Sequence, residues 1–555
     1  MKIVGLAGLC LLGLVLCLLA QRGLWLDEAM MLVNMPLPDP LAAFAPLPRY
    51  TQAAPPPFSL LLSLLASLPV PAIRLALATT GCLAVALAFR HDWRRPCFAA
   101  ALTLALLGPQ LGLYYLTELK YYGFDAVGVV LALAWAARRS PAAPFGLRDA
   151  VWLWAASLCG IATIAVSGTV LLLALPGRVA RRSPRQLARD LVMATVIFAG
   201  IGLHYLAVRT ATSVQLATYA EYFEAGTPSD HSAPQSQPAS QSQPEPAAAP
   251  PWRDRLAAFG TLARDILRKA GIVVTASALL CCLALGVAGP RDPAARRMAG
   301  AAIASLATMA GLVATGLFPA FTARHVVFLA GYPVALGLAA LLVPAGPRLW
   351  PRLLQAGLAL MMLGATAITL RNLIQDRLIV QPNANREILS LLAAAPPGPV
   401  APWGFGQPVL EAYRDRIAGL AARPVVARTN PATAAPDPAL FGPAGTALSP
   451  AAFSARIEAH RDEPGGWARQ MLYGRRGLDM APLAERLLDA APRGAVFYVF
   501  SSHLMQARAD GPEMAPLTTR LDAAGCRSET LAADRGVLLL QVLCPAPDRP
   551  PDHAG

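Results

Sequence analysis

IVGLAGLCLLGLVLCLLA (residues 3–20) is an almost wholly apolar run, followed at once by LWLDEA (residues 24–29). The run is long enough to cross the hydrocarbon core of a bilayer as a helix. The chain then emerges and presents two adjacent carboxylates, Asp27 and Glu28, at the membrane surface. Acids at that depth lose solvation, so they need a cationic partner, a metal or a catalytic task.

The rest of the composition agrees with a membrane origin. Of 555 residues, 55% are hydrophobic and only 14% charged, against about 25% charged in ordinary soluble chains. The net charge of +14 does not point to nucleic acid, because the arginines are scattered between apolar runs and form no basic stripe. They read as topology signal and lipid-headgroup contacts. Lys2 resembles the start of a signal sequence, but Leu18-Leu19-Ala20 lacks the pair of small residues that cleavage requires. An uncleaved first helix with a cytoplasmic N-terminus is expected.

Residues 57–68 are apolar but short, which predicts an interfacial or re-entrant helix. Further spans are expected near 73–89, 97–113, 123–137, 151–165, 167–177, 190–208, 271–288, 299–318, 326–343 and 353–370. The pair 151–165 and 167–177 could equally be one kinked helix. With this division the arginine clusters 90–95, 138–139, 178–189, 291–297 and 348–352 fall on one side. The positive-inside tendency makes that side cytoplasmic and gives about eleven helices. On the other side lie 21–56, 114–122, 209–270, 318–325 and everything after Arg371. Residues 225–251, rich in Ser, Gln, Pro and Ala, cannot build a core and read as disordered. Residues 252–269 have the spacing of an amphipathic surface helix.

After residue 371 the composition becomes mixed, so the chain divides into a membrane domain (1–370) and a small extracytoplasmic α/β domain (371–555). Helices are expected at Asn385–Leu392 and Val409–Ile417, and buried strands at Ala495–Phe500 and Gly536–Leu543. A Pro/Ala-rich stretch, 423–450, interrupts them. Gly404-Phe405-Gly406 lacks the strand–helix context of a nucleotide site and receives no role. Most of the nine cysteines lie in or beside apolar runs and suit packing. Cys526 and Cys544 lie near the ends of two strand-like stretches, where a hairpin in an oxidising compartment would let them bond; spacing alone leaves that open.

The polar groups on the non-cytoplasmic side are few: Asp27, Glu28, Gln52, Glu118, Lys120, His204, Arg324 and His325. Each has a plain reading. The acids could end a span in water, Glu118 and Lys120 could snorkel between interfacial tyrosines, and Arg324 with His325 could touch headgroups. His204 reads as a packed interfacial histidine. Lys120 stands out as one of only three lysines in a chain that otherwise uses arginine. Topology sets all of these groups at one membrane surface, where carboxylates and cations could converge on an anionic lipid.

An acidic pair in the first outer loop, a segment Gln52-Ala53-Ala54-Pro55-Pro56-Pro57-Phe58 leading into a short apolar helix, and Ile73-Arg74-Leu75 opening a span together resemble the bacterial GT-C glycosyltransferases. That group includes relatives of the protein mannosyltransferases and of the lipid A aminoarabinose transferase. Glu118-x-Lys120-x-Tyr122 and Arg324-His325-x-x-Phe328-Leu329 also resemble it, and the likeness covers residues 1–370. It implies transfer of a sugar from a polyprenyl-phosphate carrier to a glycan, lipid or protein acceptor outside the cytoplasm, with inversion, in a bacterial inner membrane. It further implies Asp27 as catalytic base, Glu28 as its neighbour or orienter, and Glu118 as a second acid of the site that shapes the acceptor pocket or holds a metal. Lys120, Arg324 and His325 become candidates for the carrier phosphate. A divalent metal is possible and nothing in the sequence decides it. The polar loop 209–270 departs from the pattern and carries no residue over.

The competing class is a non-enzymatic transporter or flippase of lipid-linked glycans. Such a protein would show ionisable residues at span centres and internal repeats, whereas the charges here gather at span ends.

Overall fold

The structure is a computed structural model that describes residues 2–47, 54–140, 143–176, 183–224, 252–270, 272–288, 293–318, 323–342, 349–375, 383–426, 481–504, 507–511 and 514–546. Gln52, the stretch 225–251 and most of 423–450 lie outside the described residues, as does the side chain of Arg324.

The membrane part runs as α1 (Lys2–Ala20), α2 (Leu26–Leu32), α3 (Pro56–Leu65), α4 (Val70–Ala88), α5 (Phe98–Leu107), α6 (Gln110–Leu116), α7 (Tyr122–Arg138), α8 (Leu147–Leu158), α9 (Ala162–Ala174), α10 (Pro184–Glu224), α11 (Trp252–Ala270), α12 (Ile272–Ala288), α13 (Pro293–Ala314), α14 (Gly331–Leu342) and α15 (Leu349–Ile374). A 3₁₀ stretch, Ala323–Ala330, precedes α14. Among the described residues six helical stretches are long and apolar enough to cross a membrane: Ile3–Ala20, Val70–Ala88, Pro184–Thr212, Ala294–Ala314, His325–Leu342 and Leu349–Ile374. Their outward faces are apolar; Leu203 and Leu360 are both more than two-thirds exposed, which suits lipid and not water. This is a multi-pass membrane protein.

One expected span is broken and one expected pair stays divided, each for a visible reason. The 97–113 stretch divides into α5 and α6 at Gly108-Pro109, where proline has no N–H to continue the ladder. The 151–177 stretch is two helices, not one kinked one, because the N-terminus of α9 is capped from outside. The Asp125 side chain of α7 accepts from Ala162 N at 3.0 Å and satisfies an amide that a continuous helix would have used internally. α3 is short, as its apolar length predicts, and both α3 and α4 start with proline in the first turn, where the missing donor costs nothing. α10 runs well past the expected end of its span at 208.

The C-terminal part contains α16 (Asn385–Ala394), β1 (Val400–Gly404), α17 (Gly406–Arg414), α18 (Ala481–Ala490), β2 (Val496–Ser502), α19 (Ala515–Ala523), β3 (Arg527–Asp534) and β4 (Val537–Leu543). The sheet order is β1-β2-β4-β3, with β1 parallel to β2 and the other pairs antiparallel. Period-two alternation divides β2 between two cores. Tyr498 and Phe500 join the core that continues from the membrane helices, while Phe497 and Val499 join a separate core under α18 and α19. Cys526 and Cys544 are disulfide-bonded beside the β3–β4 hairpin. Gly404-Phe405-Gly406 does sit between a strand and a helix, correcting the sequence reading. Its glycines have a packing reason: Gly404 has φ +55°, and a Cβ on Gly406 would meet the Phe500 carbonyl oxygen at 2.3 Å.

Candidate active site

The site is organised by Glu28. Its position on α2, next to Asp27 in sequence, turns its side chain about 100° away from that of its neighbour. Glu28 faces inward and is fully buried, whereas Asp27 is partly exposed. Buried carboxylates demand partners, and Glu28 has four. Arg74 Nη2 approaches Oε2 at 2.5 Å and Arg74 Nε approaches Oε1 at 3.2 Å. Arg22 Nη2 lies 3.3 Å from Oε1. Leu119 N donates to Oε1 at 3.0 Å, and Trp25 N donates to Oε2 at 3.3 Å, closing the first turn of α2.

The two arginines extend the network. Arg74 donates to the carbonyls of Ala20, Arg22 and Gly23, which satisfies the buried C-terminal end of α1 and the turn after it. Arg22 donates to Thr117 Oγ1 at 2.6 Å and to Thr117 O at 3.1 Å, and its guanidinium lies 4.5 Å from the centre of the Tyr114 ring. Burial alone would push the Glu28 carboxyl up. Arg74 and Arg22 outweigh that, with the Leu119 amide helping, and hold it below the ordinary carboxylate range.

Glu118 therefore lies between two residues, Thr117 and Leu119, that are both tied to this network. Glu118 and Lys120 are themselves buried in the turn between α6 and α7. A run of aromatic edges carries the assembly onward. Tyr115 meets Tyr122 edge-on with ring centres 6.1 Å apart, Tyr122 meets His325 at 6.3 Å, and Tyr121 meets Phe58 of α3 at 6.4 Å. The structure thus brings the first loop, the Glu118–Lys120 turn and His325 into one region at one end of α4 and α7. Arg324 lies in the same 3₁₀ stretch as His325, with its side chain outside the described residues. His204 is buried in α10. Among the described residues no group of three or more His, Cys, Asp or Glu side chains forms a metal-binding cluster.

Three contributors carry no assignment from sequence. Arg22 and Arg74 are one group. Arg74 had a readable signal, since an arginine five residues into an apolar span must have a partner. The other contributor is the C-terminal domain. Leu24 N donates to Tyr413 Oη at 2.7 Å, Asn385 Nδ2 donates to Leu24 O at 2.8 Å, and Ser502 Oγ donates to Asn385 Oδ1 at 2.8 Å. The domain therefore holds both backbone groups of a residue three positions before Asp27. Burial pushes the Tyr413 hydroxyl up to about 12, so it stays neutral as it accepts this bond. Beside this contact, a cavity of about 620 Å³ opens between the α3–α4 junction and α17, with Arg22, Arg386, Arg416 and Tyr413 on its walls.

The chain is similar to two crystal structures of ArnT from Cupriavidus metallidurans. One is in the apo state (17% identity, TM-score 0.43) and one is bound to undecaprenyl phosphate (15% identity, TM-score 0.44); each match covers 97% of this chain and 97% of that one. No protein-family model matches the sequence, and no curated protein matches it.

Proposed function

We propose that this protein is a membrane glycosyltransferase of the GT-C type, with about eleven spans in residues 1–370 and an extracytoplasmic domain in 371–555. It transfers a sugar from a polyprenyl-phosphate carrier to an acceptor hydroxyl on the outer face of a bacterial inner membrane. The observation that carries this reading is the shared anchoring of Asp27 and Glu118. Each is adjacent in sequence to a residue bonded into the buried Glu28 network, so two acids from distant segments are held in one region with Lys120 and His325.

In this reading Asp27, the more accessible acid, takes the proton of the acceptor hydroxyl. The acceptor oxygen forms its bond to the anomeric carbon from one face while the bond to phosphate oxygen breaks on the other. The electron pair leaves with the polyprenyl phosphate, and the anomeric centre inverts. Lys120, Arg324 and His325 stabilise the departing phosphate, which gains charge in the transition state. Glu118 shapes the acceptor pocket, and Glu28 positions Asp27. The arginine-walled cavity beside Arg22 suits an anionic amphiphile entering between the two domains.

In-vitro transfer from a purified polyprenyl-phosphate sugar tests the assignment. Asp27→Asn is expected to lower turnover per folded molecule by about 100-fold or more. Transfer at the wild-type rate by Asp27→Asn would remove Asp27 as the base.

A further inference from the structure

The opposite ends of α4 and α7 carry a second cluster of arginines. α4 runs from Val70 to Ala88, so its far end lies about 21 Å along the axis from Arg74 and the Glu28 network. There a cavity of about 290 Å³ opens between the ends of α4, α7 and α8. Four arginines line it: Arg90, Arg138, Arg139 and Arg148. Two of them are neutralised within the protein. Arg138 pairs with Asp92 at 2.9 Å and caps α4 at the Ala88 carbonyl, and Arg139 pairs with Asp149 at 3.1 Å. Arg90 and Arg148 are exposed, and among the described residues neither has a carboxylate partner.

The rest of the wall is mixed: Ala134, Trp135, Ala143 and Trp152 are apolar, and His91, Ser140 and Asp149 are polar. The indole N–H of Trp135 donates to Asp149 Oδ1 at 3.0 Å and that of Trp152 donates to Leu131 O at 2.8 Å. With those donors engaged, the two rings offer hydrocarbon surface. Outside the mouth, Leu147 and Val151 flank Arg148 on α8, each more than half exposed. A residue serving only as topology signal needs no convergence of this kind; here unpaired cations from two elements meet over one pocket.

We propose that this cavity is a headgroup site for an anionic phospholipid of the membrane face opposite Asp27. The phosphate diester bridges Arg90 and Arg148, and the acyl chains lie along Leu147 and Val151. Two guanidinium forks match phosphate oxygens in a way that single lysines would not, and basic pockets between spans are a recurring means of holding such headgroups. His91 at the mouth senses the uncompensated charge. Partial burial together with Arg138, Arg90 and Arg148 pushes it below the ordinary histidine range, with Asp92 opposing.

The full chain, purified in mild detergent and stripped of lipid, is titrated with phosphatidylglycerol, phosphatidylcholine or inorganic phosphate and read by native mass spectrometry. Wild type is expected to retain one phosphatidylglycerol in preference to phosphatidylcholine. The R90A/R148A double variant should bind it roughly 10- to 30-fold more weakly, with the lipid-free melting temperature unchanged because both side chains are exposed and unpaired. The control removes equal charge from the same face without touching the cavity: R185A/R189A, at the start of α10, where Asp190 Oδ1 accepts from Phe145 N. It should stay within about 3-fold of wild type. Equal weakening in both double variants would show diffuse attraction and overturn the site. Inorganic phosphate binding as tightly as the lipid would overturn the lipid assignment.

Discussion

Glu28 and Arg74, far apart in sequence, meet at 2.5 Å with neither side chain exposed. The pair is the pin through which α1, α2, α4 and the Thr117–Leu119 turn hold one another. Removing the arginine would take from a buried carboxylate its nearer cation, leaving Arg22 and two backbone amides, and would take a donor from the carbonyls of Ala20, Arg22 and Gly23. Arg74→Met is therefore expected to cost about 3–5 kcal/mol, as for other broken buried pairs. Arg74→Lys should recover only part of that, since one ammonium cannot reach two carboxylate oxygens and three carbonyls together. Thermal unfolding in detergent measures both; a full rescue by lysine would show that charge alone matters and geometry does not.

The same pair predicts a pH dependence. The Glu28 carboxyl is held below its ordinary value of 4.5, so folding favours its ionised form. A depressed carboxylate contributes stability above its unfolded pKa and loses it as pH falls through the folded value. The gap in melting temperature between wild type and Glu28→Gln should be constant near neutral pH and shrink only below about pH 4. A gap already closing at about pH 6 would mean that Glu28 is raised, not depressed, in the folded protein.

What could be read from the sequence followed the strength of the local pattern. Long apolar runs such as 3–20 and 353–370 announce their helices because lipid leaves no other way to satisfy the backbone. β2 and β4 are visible as continuous buried runs. β1 is not, because it is short and carries Pro402, which an edge strand tolerates. β3 shows only as a strand-like stretch beside Cys526, without bounds, because it is the other edge and is mostly exposed. Missing β1 is also why Gly404-Phe405-Gly406 looked isolated. The acidic pair was visible and the resemblance implied a division of labour, but which of its members faces the interior was not readable from the segment. Which of two neighbouring carboxylates turns inward depends on where α2 starts, and that is fixed by Arg22, Arg74 and the Leu119 amide from outside the segment. The grip of Tyr413 and Asn385 on Leu24 has no local signature at all, since both sit in ordinary amphipathic helices.

The Cys526–Cys544 bond closes a separation of 18 residues. Loop closure of that length is worth roughly 3 kcal/mol by the chain-entropy relation, so Cys526→Ser with Cys544→Ser should lower the stability of the C-terminal domain by about that amount. The pair also reports on compartment, because such bonds persist outside the cytoplasm. Protein taken from cells under thiol-trapping conditions should leave both cysteines unlabelled until a reductant is added. Labelling of both without reductant would move the domain to the cytoplasmic side and invert the proposed topology.

Tyr413 and Asn385 separate a structural from a catalytic role for the C-terminal domain. Leu24 N is buried and donates to the Tyr413 hydroxyl, and Leu24 O accepts from Asn385. Tyr413→Phe leaves the amide without an acceptor, at about 1–3 kcal/mol, and Asn385→Ala frees the carbonyl and Ser502 together. If the domain fixes the angle at which α2 presents Asp27, both variants should lower kcat about 10-fold or more while KM stays within about 3-fold, since ångström-scale misplacement of a reacting group is costly. A purely structural clamp predicts a lower melting temperature with unchanged kcat per folded molecule. That second result would confine the domain to holding the fold together, and Asp27 would then owe its position to Glu28, Arg22 and Arg74 alone.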